Sequence, residues 1–452
     1  MLSLCTNPQS QRRWRALALV AVCGGLLGQA APADAQWAPA VTLDVREGSA
    51  RLAFSPSGEA AALISPIEAG LELWVGASGG QLGRARTVSS MAGGANDALA
   101  AFGRHGLAVI GGDPRPWVAL GTFAHPPQHR RHLLTGAAAG GAVAATGGGG
   151  LAVLERTCAV APGGSLLADC ARSRVYLLVK PAGRGWRAPV LLASGRIDGP
   201  IALAANTKGG WLATWAQRHG KTRALMTASG GAGRPASRPR ELGDAPAPLV
   251  AISASLANDR SALVSWVSEG GSQCVPSTPA TFAAALAGPR GTFHPQRRLD
   301  RWDDEECGAG LPSPGVASAI SDHARGLLAW TGMDRQSAFF AQVATTTATS
   351  IGAGHRLSPP GRDGRLAGLA VSPSGKAVVS WTENDQGQNP TEGQTLKTSL
   401  RLSQAGAFST PETITDNVVP IESAIAFDPL HDEPFALWST RSGSMATSTH
   451  SG

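Results

Sequence analysis

From residue 36 onward the chain alternates short apolar runs with polar or glycine-bearing turns, and one pattern returns. Small apolar residues lead into a polar turn, and four or five apolar residues follow, ending in a large one. Leu369-Ala-Val-Ser-Pro-Ser-Gly-Lys-Ala-Val-Val-Ser-Trp381 has a partner in Phe54-Ser-Pro-Ser-Gly-Glu-Ala-Ala-Ala-Leu-Ile64. Related copies end at Trp215, Trp266, Trp330 and Trp438, and weaker ones at Ile110 and Leu154, about 53 residues apart on average. A run such as Lys376–Trp381 is far too short for a helix, and β-branched residues recur, so each copy predicts a β-hairpin. Ser-Pro-Ser-Gly suits the connection, because Pro presets φ and Gly accepts a positive one.

A second motif follows the hairpins. A strand such as Val175–Lys180 leads to Gly185-Trp-Arg-Ala-Pro-Val-Leu-Leu192, with equivalents at Gly291–Leu299 and Gly406–Ile414. An aromatic residue, then Pro, then an apolar residue marks an outer strand, where Pro costs least. Four strands in about 50 residues is the arithmetic of a propeller blade. Gln36-Trp-Ala-Pro-Ala-Val-Thr-Leu43 matches the outer-strand motif but has no strands before it. The last unit, Ile421–His450, has three strands and lacks the fourth. The two fragments complete one blade if the ends meet, which removes an open edge. The expected fold is therefore all-β: a propeller of eight four-stranded blades closed by the N-terminal strand, or seven if Gly136–Gly150 is a loop. Residues 36–452 form one domain on this reading.

These motifs resemble those of bacterial secreted propellers of the neuraminidase-repeat and WD-like kind. Ser-Pro-Ser-Gly is similar to the Ser-Pro-Asp-Gly turn of WD-like propellers, and Trp186 with Pro189 to the outer strand of sialidase-type repeats. The Asp of the neuraminidase Asp-box is replaced by Ser374 in one copy and Ser57 in another. The resemblance thus implies architecture and not enzymatic descent.

Residues 1–35 read as a secretory leader that precedes this domain. Arg12, Arg13 and Arg15 precede the apolar run Ala16–Leu27, and Ala33-Asp34-Ala35 gives a small-x-small site with cleavage before Gln36. Twelve apolar residues are too few for a spanning helix. The expected location is secreted, extracellular or periplasmic, with no membrane span. Loss of three Arg and one Asp takes the net charge from +7 to +5, spread along the chain, which is no nucleic-acid footprint. Cys158, Cys170, Cys274 and Cys307 remain, an even count that predicts disulfides in an exported chain. Of three pairings, the sequence-local one, Cys158–Cys170 with Cys274–Cys307, is preferred.

Composition narrows the chemistry. A hydrophobic share of 43% supports a packed interior, and charged residues are only 16%. A single Tyr argues against a Tyr-lined sugar groove. The recurring tryptophans fit core packing between blades. Tyr176 is the one residue type a sialidase nucleophile would need, but no acid is close to it in sequence, and Gly195-Arg-Ile-Asp-Gly-Pro200 departs from an Arg-Ile-Pro motif. His125, His129 and His132 could ligate a metal only on a loop, because Pro126-Pro127 breaks a helix, and a solvated hairpin explains them. Asp303–Glu306 lacks the alternation of a calcium loop. No Gly-x-Ser-x-Gly, phosphate loop or redox motif occurs, so no catalytic residue, cofactor or metal site is assigned. The expected function is non-enzymatic: a monomeric module binding an extracellular protein or glycan through blade-tip loops or the central mouth. The alternatives are a sialidase-like glycoside-acting enzyme and a structural cell-envelope protein.

Overall fold

The computed structural model describes residues 36–451, apart from 47, 67–69, 78–81, 84–85, 93–96, 113–114, 159–171, 221, 232–233, 269–279, 303–314, 335–337, 386–393 and 441–443. The predicted leader therefore lies outside the described residues. Those residues fold almost entirely into antiparallel strands, with two 3-10 turns and no α-helix among them. The strands pair into eight four-stranded blades. Blade 1 covers residues 48–92, blade 2 98–132, blade 3 137–195, blade 4 196–244, blade 5 249–302, blade 6 316–356 and blade 7 362–416. Blade 8 covers 418–451 and takes its outer strand from residues 36–46. Inner strands touch in chain order, and that of blade 8 returns to that of blade 1, so the ring is closed.

Two strands serve a pair of blades each. Val190–Ala205 is the outer strand of blade 3 and then the inner strand of blade 4, with an irregularity between Asp198 and Ile201. Glu412–Asp428 crosses from blade 7 to blade 8 in the same way. The Ala/Gly tract is a real strand, Ala137–Thr146, paired with Gly150–Cys158. That fixes eight blades over seven.

The sequence motifs fall where periodicity put them. Each hairpin supplies the first and second strands of a blade, and the Pro-bearing motif leads into the fourth. The second strands run past the tryptophans, however: to His219, Ser268, Met333, Asp385 and Thr440. Ladder hydrogen bonds continue through polar residues after the apolar signal stops. Trp215, Trp266, Trp330, Trp381 and Trp438 are all buried. The indole of Trp215 donates to Gln217 (3.3 Å), and that of Trp381 to Glu383 (3.1 Å), two residues on along the same strand face.

Packing is organised by interface. Each of the eight contacts between neighbouring blades has its own apolar cluster. Inner strands such as Ala98–Phe102, Ala137–Thr146 and Val316–Ile320 are rich in Ala, Gly and Ser and stay half-buried. Small side chains let eight strands converge on one axis without clashing. The predicted closure forms, with Gln36 paired to Ser451, Trp37 to His450 and Leu43 to Met445. Trp37 meets the His450 ring edge-on at 5.4 Å and donates to Thr398 of blade 7 at 3.0 Å.

Candidate functional site

The turn joining first to second strand recurs in every blade and lies at the same end of the ring. At Ser55–Glu59, Asn206–Gly210, Ala257–Ser261 and Ser372–Lys376 the backbone makes the same two bonds, fifth carbonyl to first N–H and first carbonyl to fourth N–H. A side chain near the turn's start accepts from later N–H groups. Ser55 serves Glu59 and Asn206 serves Lys208 and Gly210. Ser372 serves Lys376 and Asp259 serves Ser261. The fourth position is left-handed: Gly58, Gly209 and Gly375 take φ of 79°, 80° and 92°. Arg260 stands there at 74° in blade 5 without being glycine. Among the described residues the other non-glycine positive φ values, at His323, Ala324 and Asp432, also lie in these turns. Strain confined to one rim is a mark of a site held in place by its surroundings.

Neighbouring turns are tied together. The Glu59 carboxylate pairs with His105 at 2.8 Å. Gly147 N–H donates to the Asn206 carbonyl at 3.1 Å, and the Asn206 amide to the Ala257 carbonyl at 2.8 Å. Thr207 donates to Asn258 at 2.7 Å. Asp259 N–H donates to Asp322 at 3.0 Å, and the Asp259 carboxylate accepts from His323 N–H. Gln404 donates to Ser321 at 2.6 Å, and Ser374 to Asp432 at 2.6 Å. The Asp432 carboxylate also pairs with Lys376 at 3.3 Å. Partial burial alone would raise the carboxyls of Glu59, Asp259 and Asp432. Hydrogen bonds from His105, Ser55 and Ser57, from His323 and Ser261, and from Ser372, Ser374 and Lys376 outweigh it and hold all three below their ordinary values.

Two connected clefts open at this rim. One, of about 520 Å³, is bounded by the turns of blades 4 to 7 and presents Asn206, Thr207, Asn258, Asp322, His323 and Gln404. The other, of about 580 Å³, lies between blades 6 and 7. Thr345, Thr347 and Arg401 line it, and it shares His323, Arg325 and Gln404 with the first. Both have the size of a small-molecule site and gather amide, hydroxyl, imidazole and guanidinium groups from separate blades.

The sequence candidates are dispersed. Tyr176 lies in the third strand of blade 3, and its register partner is Glu155, so an acid does stand opposite it. Glu155 is buried and has no hydrogen-bond partner among the described residues; burial pushes its carboxyl well above the ordinary range. The Tyr176 hydroxyl accepts instead from Arg174 at 3.5 Å. Gly195–Pro200 forms the crossover from blade 3 to blade 4. His132 sits on the exposed outer strand of blade 2 and bonds the Pro116 carbonyl at 3.1 Å. Among the described residues no group of three His, Cys, Asp or Glu is placed to hold a metal, and no helix is long and apolar enough to cross a membrane. Asp303–Glu306 and Cys170, Cys274 and Cys307 lie outside the described residues. Cys158 is buried at the end of its strand, opposite Ser173. Sequence reasoning pointed to blade-tip loops or the central mouth but did not name the residues of this rim, although the repeated turns were its signal.

No family model matches the chain, and no curated protein does. Among solved structures it is similar to the BP39L lectin of Burkholderia pseudomallei. Identity there is 17% over 81% of this chain and 99% of that one, with a TM-score of 0.48. It is also similar to an ulvanlyase of a polysaccharide lyase family, at 10% identity over 90% and 95%, TM-score 0.48. A fucose-specific lectin from Aleuria aurantia matches at 13% over 72% and 100%, TM-score 0.38. The strand pairing, and not these likenesses, carries the fold.

Proposed function

We propose that this propeller is a non-enzymatic binding module that takes a polar ligand, a glycan or an extracellular protein segment, at the turn-side rim. One observation carries the reading: side chains from blades 4, 5, 6 and 7 converge on connected clefts in a rim whose turns are locked to one another. A locked rim loses little order on binding, which is how preorganised sites gain affinity. The neuraminidase-repeat likeness of the outer strands belongs to this reading as ancestry of the scaffold only.

The protein on this reading is exported and acts as a monomer outside the cytoplasm. What supports export is the leader composition of residues 1–35. Cys158–Cys170 and Cys274–Cys307 are proposed as its disulfides. What supports the first pair is that Cys158 is buried at the end of a strand that leads directly into the segment carrying Cys170.

A glycan array, run beside a fluorogenic glycoside panel on the mature protein, tests the function. Binding without turnover is expected, lost on Asn258→Ala and His323→Ala while thermal stability changes little. Turnover that disappears on Asp322→Asn would instead make the protein a glycoside-acting enzyme.

A further inference from the structure

Arg401 closes the third strand of blade 7, Gln394–Arg401, and is only 4% exposed. A guanidinium taken so far out of water is ordinarily paired with a carboxylate. This one has no hydrogen-bond or ion-pair partner among the described residues, and its Nε is buried without an acceptor. Its one specific neighbour is the ring of Phe408, 5.7 Å away, which supports a cation but does not neutralise it. The group lines the cleft between blades 6 and 7, and that cleft holds a second guanidinium, Arg325, exposed on the opposite wall. His323, Thr345, Thr346, Thr347 and Gln404 complete the polar lining, and among the described residues no carboxylate belongs to it.

We propose that this cleft is an oxyanion site, in which Arg401 and Arg325 clamp a carboxylate, sulfate or phosphate group of a small polar ligand. Guanidinium N–H groups meet two oxygens of such a group in parallel, and a buried one does so with little competition from water. The cavity of about 580 Å³ holds a molecule of roughly one or two sugar rings beyond the anionic group. The proposal rests on the reading of the rim as a binding face, and it narrows that reading to anionic ligands.

The test is thermal unfolding of the mature protein titrated with sodium sulfate, sodium phosphate or sodium glucuronate against sodium chloride at equal ionic strength. The wild type is expected to gain a saturable rise of about 2 °C or more over chloride with at least one oxyanion. A response to sulfate and phosphate alone assigns a tetrahedral group, and a response to glucuronate alone assigns a carboxylate. Arg401→Met is expected to abolish the rise and to leave the anion-free protein as stable as the wild type or more so, because it removes an unpaired buried charge. A structural arginine would give the opposite result, a loss of stability without anion. Arg325→Gln, at an exposed position, is expected to weaken the response at least tenfold and keeps the test open if Arg401→Met misfolds. No saturable rise, or an equal rise in wild type and both variants (general salt exclusion), would overturn the proposal. Glycan binding that survives Arg401→Met but is lost on Asn258→Ala would leave the rim reading standing without it.

Discussion

Glu155 faces Tyr176 across the second and third strands of blade 3, with no hydrogen-bond or ion-pair partner among the described residues. Burial raises its carboxyl well above the ordinary value of 4.5, so between that value and the raised one the folded protein holds a proton that the unfolded chain releases. The native state binds the extra proton, so stability falls as pH rises from the ordinary value to the raised one and is then level. Glu155→Gln should therefore stabilise the protein at pH 7 relative to pH 4, by about 1.4 kcal/mol for each pH unit of the rise that lies below pH 7, and change little near pH 4. Urea midpoints at the two pH values decide it; an equal gain at both would point to packing. The rim carboxylates carry the opposite sign. Glu59, Asp259 and Asp432 are held below their ordinary values, so their contribution is present above that range and is lost as pH falls through the lowered values.

In the turns, backbone geometry is the repeated quantity. Gly375 holds φ of 92° in Ser372–Lys376, and a Cβ there would also press on the Gln404 side chain at 3.3 Å. Gly375→Ala is expected to cost about 1–2 kcal/mol by chemical denaturation, the price of an L-residue in the left-handed region. Arg260→Gly, at the equivalent position of blade 5, should be neutral or slightly stabilising, since relief of strain is offset by glycine's greater freedom when unfolded. An equal loss at both positions would mean that the turns are not equivalent. These turns were legible in the sequence because Pro, Gly, Asn and Ser act within four or five residues of themselves. The blade tryptophans were legible for a similar reason, as each closes an apolar run beside its turn. What escaped was what joins one turn to the next. Asn206 and Ala257, Asp259 and His323, and Ser374 and Asp432 are 51, 64 and 58 residues apart. No local pattern encodes such pairs. Arg401 was illegible on the same grounds, since an arginine in a strand reads alike whether or not an acid meets it in space.

A ring of blades is only as complete as its last joint. Here that joint is noncovalent: the strand at Val41–Arg46 and the short Gln36–Trp37 pair with Ser444–Ser451, the third strand of blade 8. Leu43 is buried with Val45, Phe435, Leu437 and Met445 in the cluster between blades 8 and 1, and Trp37 packs against the cluster between blades 7 and 8. The closing segment thus reaches three blades, and the loss of Leu43 alone, as Leu43→Ala, is expected to cost about 2–5 kcal/mol. Deleting residues 36–43 removes both anchors and leaves most of the outer edge of Ser444–Ser451 unpaired and open to other chains. The truncated protein should melt earlier by calorimetry, lose hydrogen-exchange protection first across Glu433–Ser451, and aggregate sooner than the untruncated chain. A synthetic peptide of residues 36–46, added in excess, should recover part of the lost melting temperature with saturation, because it refills the vacant outer position by the same register. A truncated protein that melts where the mature chain does, or exchange lost first in a blade remote from blade 8, would show that the ring does not depend on this strand and that stability resides within single blades.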